Sequence, residues 1–455
     1  MFSKVLVANR GEIALRIIRA CREMGVRTVA VFSEADAQSL HCQLADEAIC
    51  IGPPMSAKSY LNIERLIQTA LETNAEAVHP GYGYLAENES FARACEKAGL
   101  CFIGPSPRNL RLAGDKIAAK KLMKDAGVPV IPSSETGVAD VKAAGQFCQE
   151  IGFPVVIKAA GGGGGRGIRA CENNSDLLEE FPVARMEART AFGNEELYIE
   201  KLIEKPRHIE FQILGDHHGN IVHLGERECT IQRRYQKLIE ESPSPFLTTS
   251  LREAMGKAAV HAAQTLGYVN AGTVEFLVDS EGRFYFMEIN SRIQVEHPVT
   301  ELTTGIDLVK EQIRIASGEA LGYRSQDVQR RGWAIECRIN AEDPDKGFFP
   351  SPGKVETYRA PGGFGVRLDT HLYKGYDLPI FYDSLIAKLI TYDLTRKGAI
   401  RVMKRALQEF QIAPIKTTIP FYLKIMDDAD FIEGRFDTGY VKKFLPDEAN
   451  DDEEE

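Results

Sequence analysis

TVEFLVDSEGRFYFMEINSRIQVEHPV, residues Thr273 to Val299, is the stretch on which the fold turns. Thr273 to Asp279 and Phe284 to Asn290 are rich in β-branched and aromatic residues. Ser280-Glu281-Gly282-Arg283 supplies turn chemistry between them, so the pattern predicts a hairpin with a four-residue loop. Such a loop sets Asp279 opposite Phe284 and, further back, Glu275 opposite Glu288. Two carboxylates facing each other across an antiparallel pair repel. Either both point to solvent and water screens them, or they share a divalent cation. Glu275, Glu288 and Asn290 offer oxygen donors alone, which suits Mg²⁺ or Mn²⁺ holding nucleotide phosphates and does not suit zinc.

Arg292, Gln294 and Glu296 continue the same alternation, and His297 before Pro298 favours extended backbone. One extended face would then carry a guanidinium, an amide and a carboxylate, a row able to grip a small planar anion. An ordinary edge strand with alternating charges would read the same way.

Working outward, 455 residues with 44% hydrophobic content are ample for several cores and too many for one ordinary domain. No apolar run approaches the ~20 residues of a bilayer helix, and Met1-Phe2-Ser3-Lys4 leads into a strand pattern rather than a signal peptide. Nine scattered cysteines without C-x-x-C spacing indicate a reduced, cytoplasmic protein. The net charge of −10, half of it from Asp451-Asp452-Glu453-Glu454-Glu455, argues against nucleic acid as the main partner. The tail at 447–455 is expected to be disordered.

In chain order, Lys4 to Asn9 is a buried-strand pattern, Gly11 to Met24 an amphipathic helix and Val26 to Phe32 a second strand. The alternation continues past His79 and Ile103, giving an α/β domain with a parallel sheet. Asn9-Arg10-Gly11-Glu12 lacks the glycines of a dinucleotide fingerprint, and Arg10 and Glu12 are spaced for a local ion pair. Pro80-Gly81-Tyr82-Gly83 is a tight loop with either a structural or a site-facing role. Gly114-Asp115-Lys116 opens a helix. Pro154 to Lys158 is a buried strand running into Gly161 to Gly165, whose backbone N–H groups suit phosphates, although a flexible linker has the same composition. Leu197 to Ile203 and Arg207 to Leu214 are strands, the second carrying His208 and Glu210. Gln232 to Lys237 is a basic run that a solvated turn would also produce. Ile306 to Ser317 is a helix, and Ile335 to Asn340 alternates so that Glu336, Arg338 and Asn340 share a face.

Asn9-Arg10-Gly11-Glu12-Ile13-Ala14, His79-Pro80-Gly81-Tyr82-Gly83, Lys158 with its glycine run, and Glu288 through Pro298 together closely resemble biotin carboxylase, an ATP-grasp enzyme, over roughly Met1 to Leu445. The resemblance implies an N-terminal α/β domain at 1–114, an ATP-grasp domain at 115–330 with a lid at about 131–203, and a mixed α+β domain at 331–446. It implies ATP contacts at Lys116, Lys158, Gly164, Gly165, Glu200, Lys201, Ile203, His208 and Gln232. Tyr235 joins this group where the family usually has His, and it can donate and accept a hydrogen bond but not act as a cation. It implies that Glu275 and Glu288 reach ATP through the metal and, with Asn290, hold two Mg²⁺ or Mn²⁺ ions. It implies a bicarbonate cradle of Lys237, Arg292, Gln294 and the Val295 backbone. By the same resemblance Glu296 is expected as the general base and Arg338 as the group facing the ureido oxygen of biotin.

Met123-Lys124 and Met403-Lys404 sit in helix patterns and lack the second Met of a carrier hairpin. The resemblance therefore implies a biotin carboxyl carrier protein and carboxyltransferase subunits as partners, and a homodimer. Acetyl-CoA is the first expectation for the final acceptor, with pyruvate or another 2-oxo acid such as 2-oxoglutarate second. Two other classes compete: an ATP-grasp ligase joining a carboxylate to an amine, and a nucleotide-binding regulator without turnover.

Overall fold

The computed structural model describes residues 1–134, 136–160 and 168–445. The expected phosphate loop around Gly164 and Gly165 and the acidic tail lie outside the described residues.

Five parallel strands open the chain, in the spatial order Glu47–Gly52, Arg27–Ser33, Lys4–Val7, Ala77–His79, Cys101–Phe102. Val5 and Val7 pack with Ile13, Ile17 and Ile18 of the helix Gly11–Glu23 on one face. Leu6 and Ala8 pack with Val29, Val31 and Leu66 on the other. Both faces are buried, which is why these strands read as continuous apolar runs. The loop after His79 is tied down by Asn9, whose Nδ2 donates to the carbonyls of Pro80 (2.7 Å) and Tyr82 (2.8 Å). Gly81 has φ +64° there, and a Cβ would meet Asn9 at 3.0 Å, so the close approach calls for glycine.

An eight-stranded antiparallel sheet forms the body of the molecule. Its order is Phe284–Asn290, Asn270–Val278, Arg207–Gly215, Ile221–Arg233, Gln236–Ser242, Trp333–Asn340, Leu385–Asp393, Val366–Thr370. The last three strands come from the C-terminal third, so the sheet runs unbroken from the central region into it. The helix Thr249–Leu266 covers one end through Met255, Ala259 and Leu266 against Phe211, Phe276 and Phe286. A separate three-stranded sheet, Ile168–Cys171, Val155–Ala159 and Leu197–Lys201, has its own small core. All nine cysteines are free thiols. No described helix is long and apolar enough to cross a membrane.

The hairpin forms, but its register differs from the expected one. Val278, not Asp279, pairs with Phe284. Asp279 instead folds the turn, its carboxylate accepting the N–H groups of Glu281 (3.0 Å) and Arg283 (2.9 Å). Glu275 nevertheless pairs with Glu288, because a bulge adds Met287 between Phe286 and Glu288. An unbulged strand would put Glu288 on the same face as Phe284 and Phe286. The extra residue lets Phe286 and Ile289 both reach the core while Glu288 and Asn290 face the opposite way.

The expected extended row from Arg292 to Glu296 does not form. The strand ends at Asn290, residues 295–296 turn, and a helix runs His297–Thr304. Pro298 sits in its first turn, where the missing N–H costs nothing, and this overrides the extended preference expected at His297.

Candidate functional site

Glu288, Glu275 and Glu210 stand side by side on three adjacent strands, and Arg227 stands next to Glu210 on a fourth. Three carboxylates in a row demand compensation. The Lys237 ammonium supplies most of it, lying 2.5 Å from Glu210, 2.9 Å from Glu275 and 2.8 Å from Glu296. Burial alone would lower the Lys237 ammonium, but these three carboxylates hold it well above its ordinary value. Arg227, fully buried, reaches Glu210 at 2.5 Å and also donates to Gln212, Thr273 and Thr300. Lys116 meets Glu288 at 2.8 Å. His208 accepts from Gln232 at Nδ1 (2.7 Å) and donates from Nε2 to Glu275 (2.8 Å). Asn290 donates its amide N–H to Glu275 at 2.8 Å, and its oxygen accepts from Arg292 at 3.5 Å. Oxygen donors on one face fit a hard divalent cation.

Next to this row lies the turn 294–297. Glu296 is wholly buried between Lys237 and Arg338, the latter at 2.9 Å from its other oxygen. Burial would raise the Glu296 carboxyl, but Lys237, Arg338 and Arg227 outweigh it and hold the group well below the usual carboxylate range. Arg338 also binds Glu240 at 2.6 Å. Glu240 pairs across the sheet with Glu336, a buried carboxylate whose two oxygens have no hydrogen-bond partner among the described residues. Burial pushes Glu240 up to about 7, against the pull of Arg338. Arg292 is aligned by Glu87 (2.9 Å) and Gln294 (2.9 Å). The Gln294 Nε2 is buried without a partner among the described residues, a donor aimed at something the chain does not supply. That orphan and the two cations beside it fit a small anion.

The remaining expected contacts scatter around the small sheet. Glu200 is buried between Lys158 (2.5 Å) and Lys120. The Lys201 side chain turns away, onto the carbonyls of Gly152 (3.1 Å) and Phe153 (2.7 Å), and its N–H is taken by Pro132. Ile203 follows the end of that strand, half-buried. Tyr235 is 61% exposed in a two-residue hairpin turn with Arg234. Both residues have positive φ (+48° and +62°), as the tight hairpin turn requires, and the turn sets Gln232 opposite Lys237. Arg10 and Glu12 do not pair locally. Arg10 forms a bidentate pair with Asp36 (2.7 and 2.8 Å), and Glu12 reaches Tyr82 and Lys388.

Sequence reading missed Glu87, Lys120, Glu240 and Lys388 and gave Glu210 no role beyond sharing a strand face with His208. Glu210 and Lys120 carried a signal. One lies two residues from His208 on the same strand face, and the other lies one helical turn from Lys116. Glu87 and Lys388 carried none, since their partners are 205 and 93 residues away.

Three family models match in succession: "Biotin carboxylase, N-terminal domain" at residues 1–110, "Carbamoyl-phosphate synthase L chain, ATP binding domain" at 115–324, and "Biotin carboxylase C-terminal domain" at 336–443. The chain is 55% identical to biotin carboxylase 1 of Bacillus subtilis over 98% of its own length and 99% of that protein. It is also 55% identical to one of the subunits of pyruvate carboxylase from Methanothermobacter thermautotrophicus, over 98% of its length and 90% of that protein. A crystal structure of the biotin carboxylase domain dimer of Hydrogenobacter thermophilus 2-oxoglutarate carboxylase, with MgADP, ADP and bicarbonate, superposes with a TM-score of 0.94 at 53% identity, covering 97% of this chain and 98% of that one.

Proposed function

The chain belongs to the biotin carboxylase family, and from that premise we propose that it uses ATP and bicarbonate to carboxylate biotin on a separate carrier protein in the cytoplasm. The observation that carries the reading is Glu296 held between Lys237 and Arg338, with the unpartnered Gln294 amide beside it. Two cations from different strands around one carboxylate make a site for handling a second anion.

ATP lies against Lys116, Lys158, Glu200, Ile203, His208, Gln232 and Tyr235, and against Lys201 through its backbone carbonyl, since the Lys201 ammonium and N–H are engaged elsewhere. Gly164 and Gly165, the other ATP contacts of this reading, lie outside the described residues. Glu275, Glu288 and Asn290 would hold two Mg²⁺ or Mn²⁺ ions, which neutralise phosphate charge when bound. Arg292, Lys237, Gln294 and the Val295 backbone take bicarbonate. Its arrival places a negative charge beside Glu296 and shares the cations that depress its pKa. The Glu296 carboxyl then rises and accepts the bicarbonate proton as the oxygen attacks the γ-phosphate. The resulting carboxyphosphate gives CO₂ and phosphate. Biotin N1 gives up its proton to that phosphate and attacks CO₂, while Arg338 holds the ureido oxyanion. We place the division of the chain at 1–114, 115–330 and 331–446.

The carrier and a carboxyltransferase are supplied by partner subunits, and the chain works as a homodimer. Acetyl-CoA is the proposed acceptor. The likeness to part of a pyruvate carboxylase and to a 2-oxoglutarate carboxylase domain favours a 2-oxo acid as the second reading. Purified protein given ATP, Mg²⁺, labelled bicarbonate and free biotin should release ADP only with bicarbonate and should label biotin. ATP turnover that ignores bicarbonate overturns the reading.

A further inference from the structure

Two N-terminal segments, Asn9–Glu12 at the start of the helix Gly11–Glu23 and the loop Pro80–Gly83, converge on a single buried ammonium. Lys388 stands in mid-strand in the C-terminal third with no exposed surface. It donates to the Val295 carbonyl at 3.0 Å and lies 3.2 Å from Glu12. The Tyr82 hydroxyl donates to the other Glu12 oxygen, and the Tyr82 ring centroid lies 5.8 Å from the Lys388 ammonium. A lysine is a costly choice for a wholly buried strand position that leucine or methionine would fill. Its charge must therefore be doing something packing cannot.

The neighbouring carbonyl shows what that is. His297 ties the Gln294 carbonyl through Nδ1 (2.8 Å), and Lys388 ties the next one, that of Val295. A trans peptide is planar, with its N–H opposed to its C=O. Fixing the Gln294 carbonyl therefore aims the Val295 N–H, and fixing the Val295 carbonyl aims the Glu296 N–H.

We propose that Lys388 is a positioning residue for the bicarbonate turn: it holds the Val295 carbonyl and so sets the direction of the Glu296 N–H and carboxylate, with Glu12 and Tyr82 steadying it from the N-terminal domain. The proposal rests on reading Arg292 to Glu296 as the bicarbonate site. It assigns a task to the two N-terminal motifs, which join the N-terminal domain to the turn through a lysine of the C-terminal region.

Burial pushes the Glu12 carboxyl up and Lys388 pulls it back. In a Lys388→Met variant, Glu12 can take up a proton rather than remain a buried charge, and this favours folding. Bicarbonate-dependent ATP hydrolysis by the full chain is measured across bicarbonate and ATP concentrations. In Lys388→Met, KM for bicarbonate rises about tenfold or more while KM for ATP stays within about twofold. Glu12→Gln moves KM for bicarbonate the same way by about threefold, and the double variant is no worse than Lys388→Met, because the two residues act in one chain. An unchanged KM for bicarbonate, or equal changes in both constants, overturns the proposal and leaves Lys388 a tie between domains. If Lys388→Met does not fold, Glu12→Gln decides alone, since no change in its KM for bicarbonate is equally fatal. Wild-type turnover that ignores bicarbonate overturns the functional reading and this proposal with it. Wild-type dependence with unchanged variants overturns this proposal alone.

Discussion

The two ends of the stretch from Thr273 to Val299 are built differently. At the hairpin end, Glu275, Glu288 and Asn290 are brought together by strand pairing, with Glu210 added from the adjacent strand. At the turn end, apart from the local contact of Arg292 with Gln294, the positions of Arg292, Val295 and Glu296 are owed to partners 42 to 205 residues away: Arg338, Lys237, Lys388 and Glu87. The hairpin end is fixed by backbone register, which slips only by whole residues. The turn end is fixed by side-chain contacts among three regions, so it shifts continuously when those regions move. The proposed phosphate site thus sits on strand pairing, and the proposed bicarbonate site sits where regions meet.

Breaking the hairpin end should cost most. Glu288→Gln removes one of the carboxylates proposed to hold the metal and frees Lys116. ATP turnover should fall about 10⁴-fold, because charge neutralisation by a bound ion is worth several kcal/mol. Steady-state ADP release across a Mg²⁺ series checks this, and activity within a few-fold of wild type would remove Glu288 from the metal site.

At the turn end, Glu296→Ala should lower bicarbonate-dependent ATP hydrolysis about 10³-fold even without biotin, the usual scale for losing a general base. Arg338→Gln sharpens the contrast, since the proposed mechanism gives Arg338 the later step. Its biotin-free ATP hydrolysis should stay within about threefold of wild type while biotin carboxylation drops about 10²-fold. Both rates are measured on both variants. Equal losses of both rates in each would merge the two roles.

The smallest effect concerns stability. Glu240 is a buried acid whose pKa is raised from about 4.5 to about 7. Its folded form binds a proton more tightly than the unfolded chain, so its contribution is full below about pH 4.5 and is lost as pH rises through about 7. In Glu240→Gln that loss disappears. The wild type should lose at most about 3 kcal/mol relative to the variant between those pH values. Urea unfolding at several pH values reads it, and parallel curves would mean that Arg338 keeps Glu240 ionised throughout.

Much of this molecule was legible in the chain because its signals are local. Apolar runs between amphipathic helices gave the parallel sheet, and turn residues between two β-branched runs gave the hairpin. The facing of Glu275 and Glu288 was also found, although the path to it was wrong. A turn folded by Asp279 and an extra residue at Met287 cancel in the count, and neither alters composition or periodicity enough to be seen. The extended row through Glu296 failed because alternation in sequence continues whether or not the strand does.

The sequence by itself determined which residues carry charge, where strands and turns fall, and through the run Glu288 to Pro298 the family. Only the tertiary structure decided the order of the eight strands, and with it that Glu240 faces Glu336, that Lys237 reaches three carboxylates, and that Lys388 ends on the Val295 carbonyl. The reason is physical. Periodicity records which face a side chain takes, because that depends on its own backbone. It carries no record of which distant strand lies beside it, and a buried charge is stabilised by those neighbours alone.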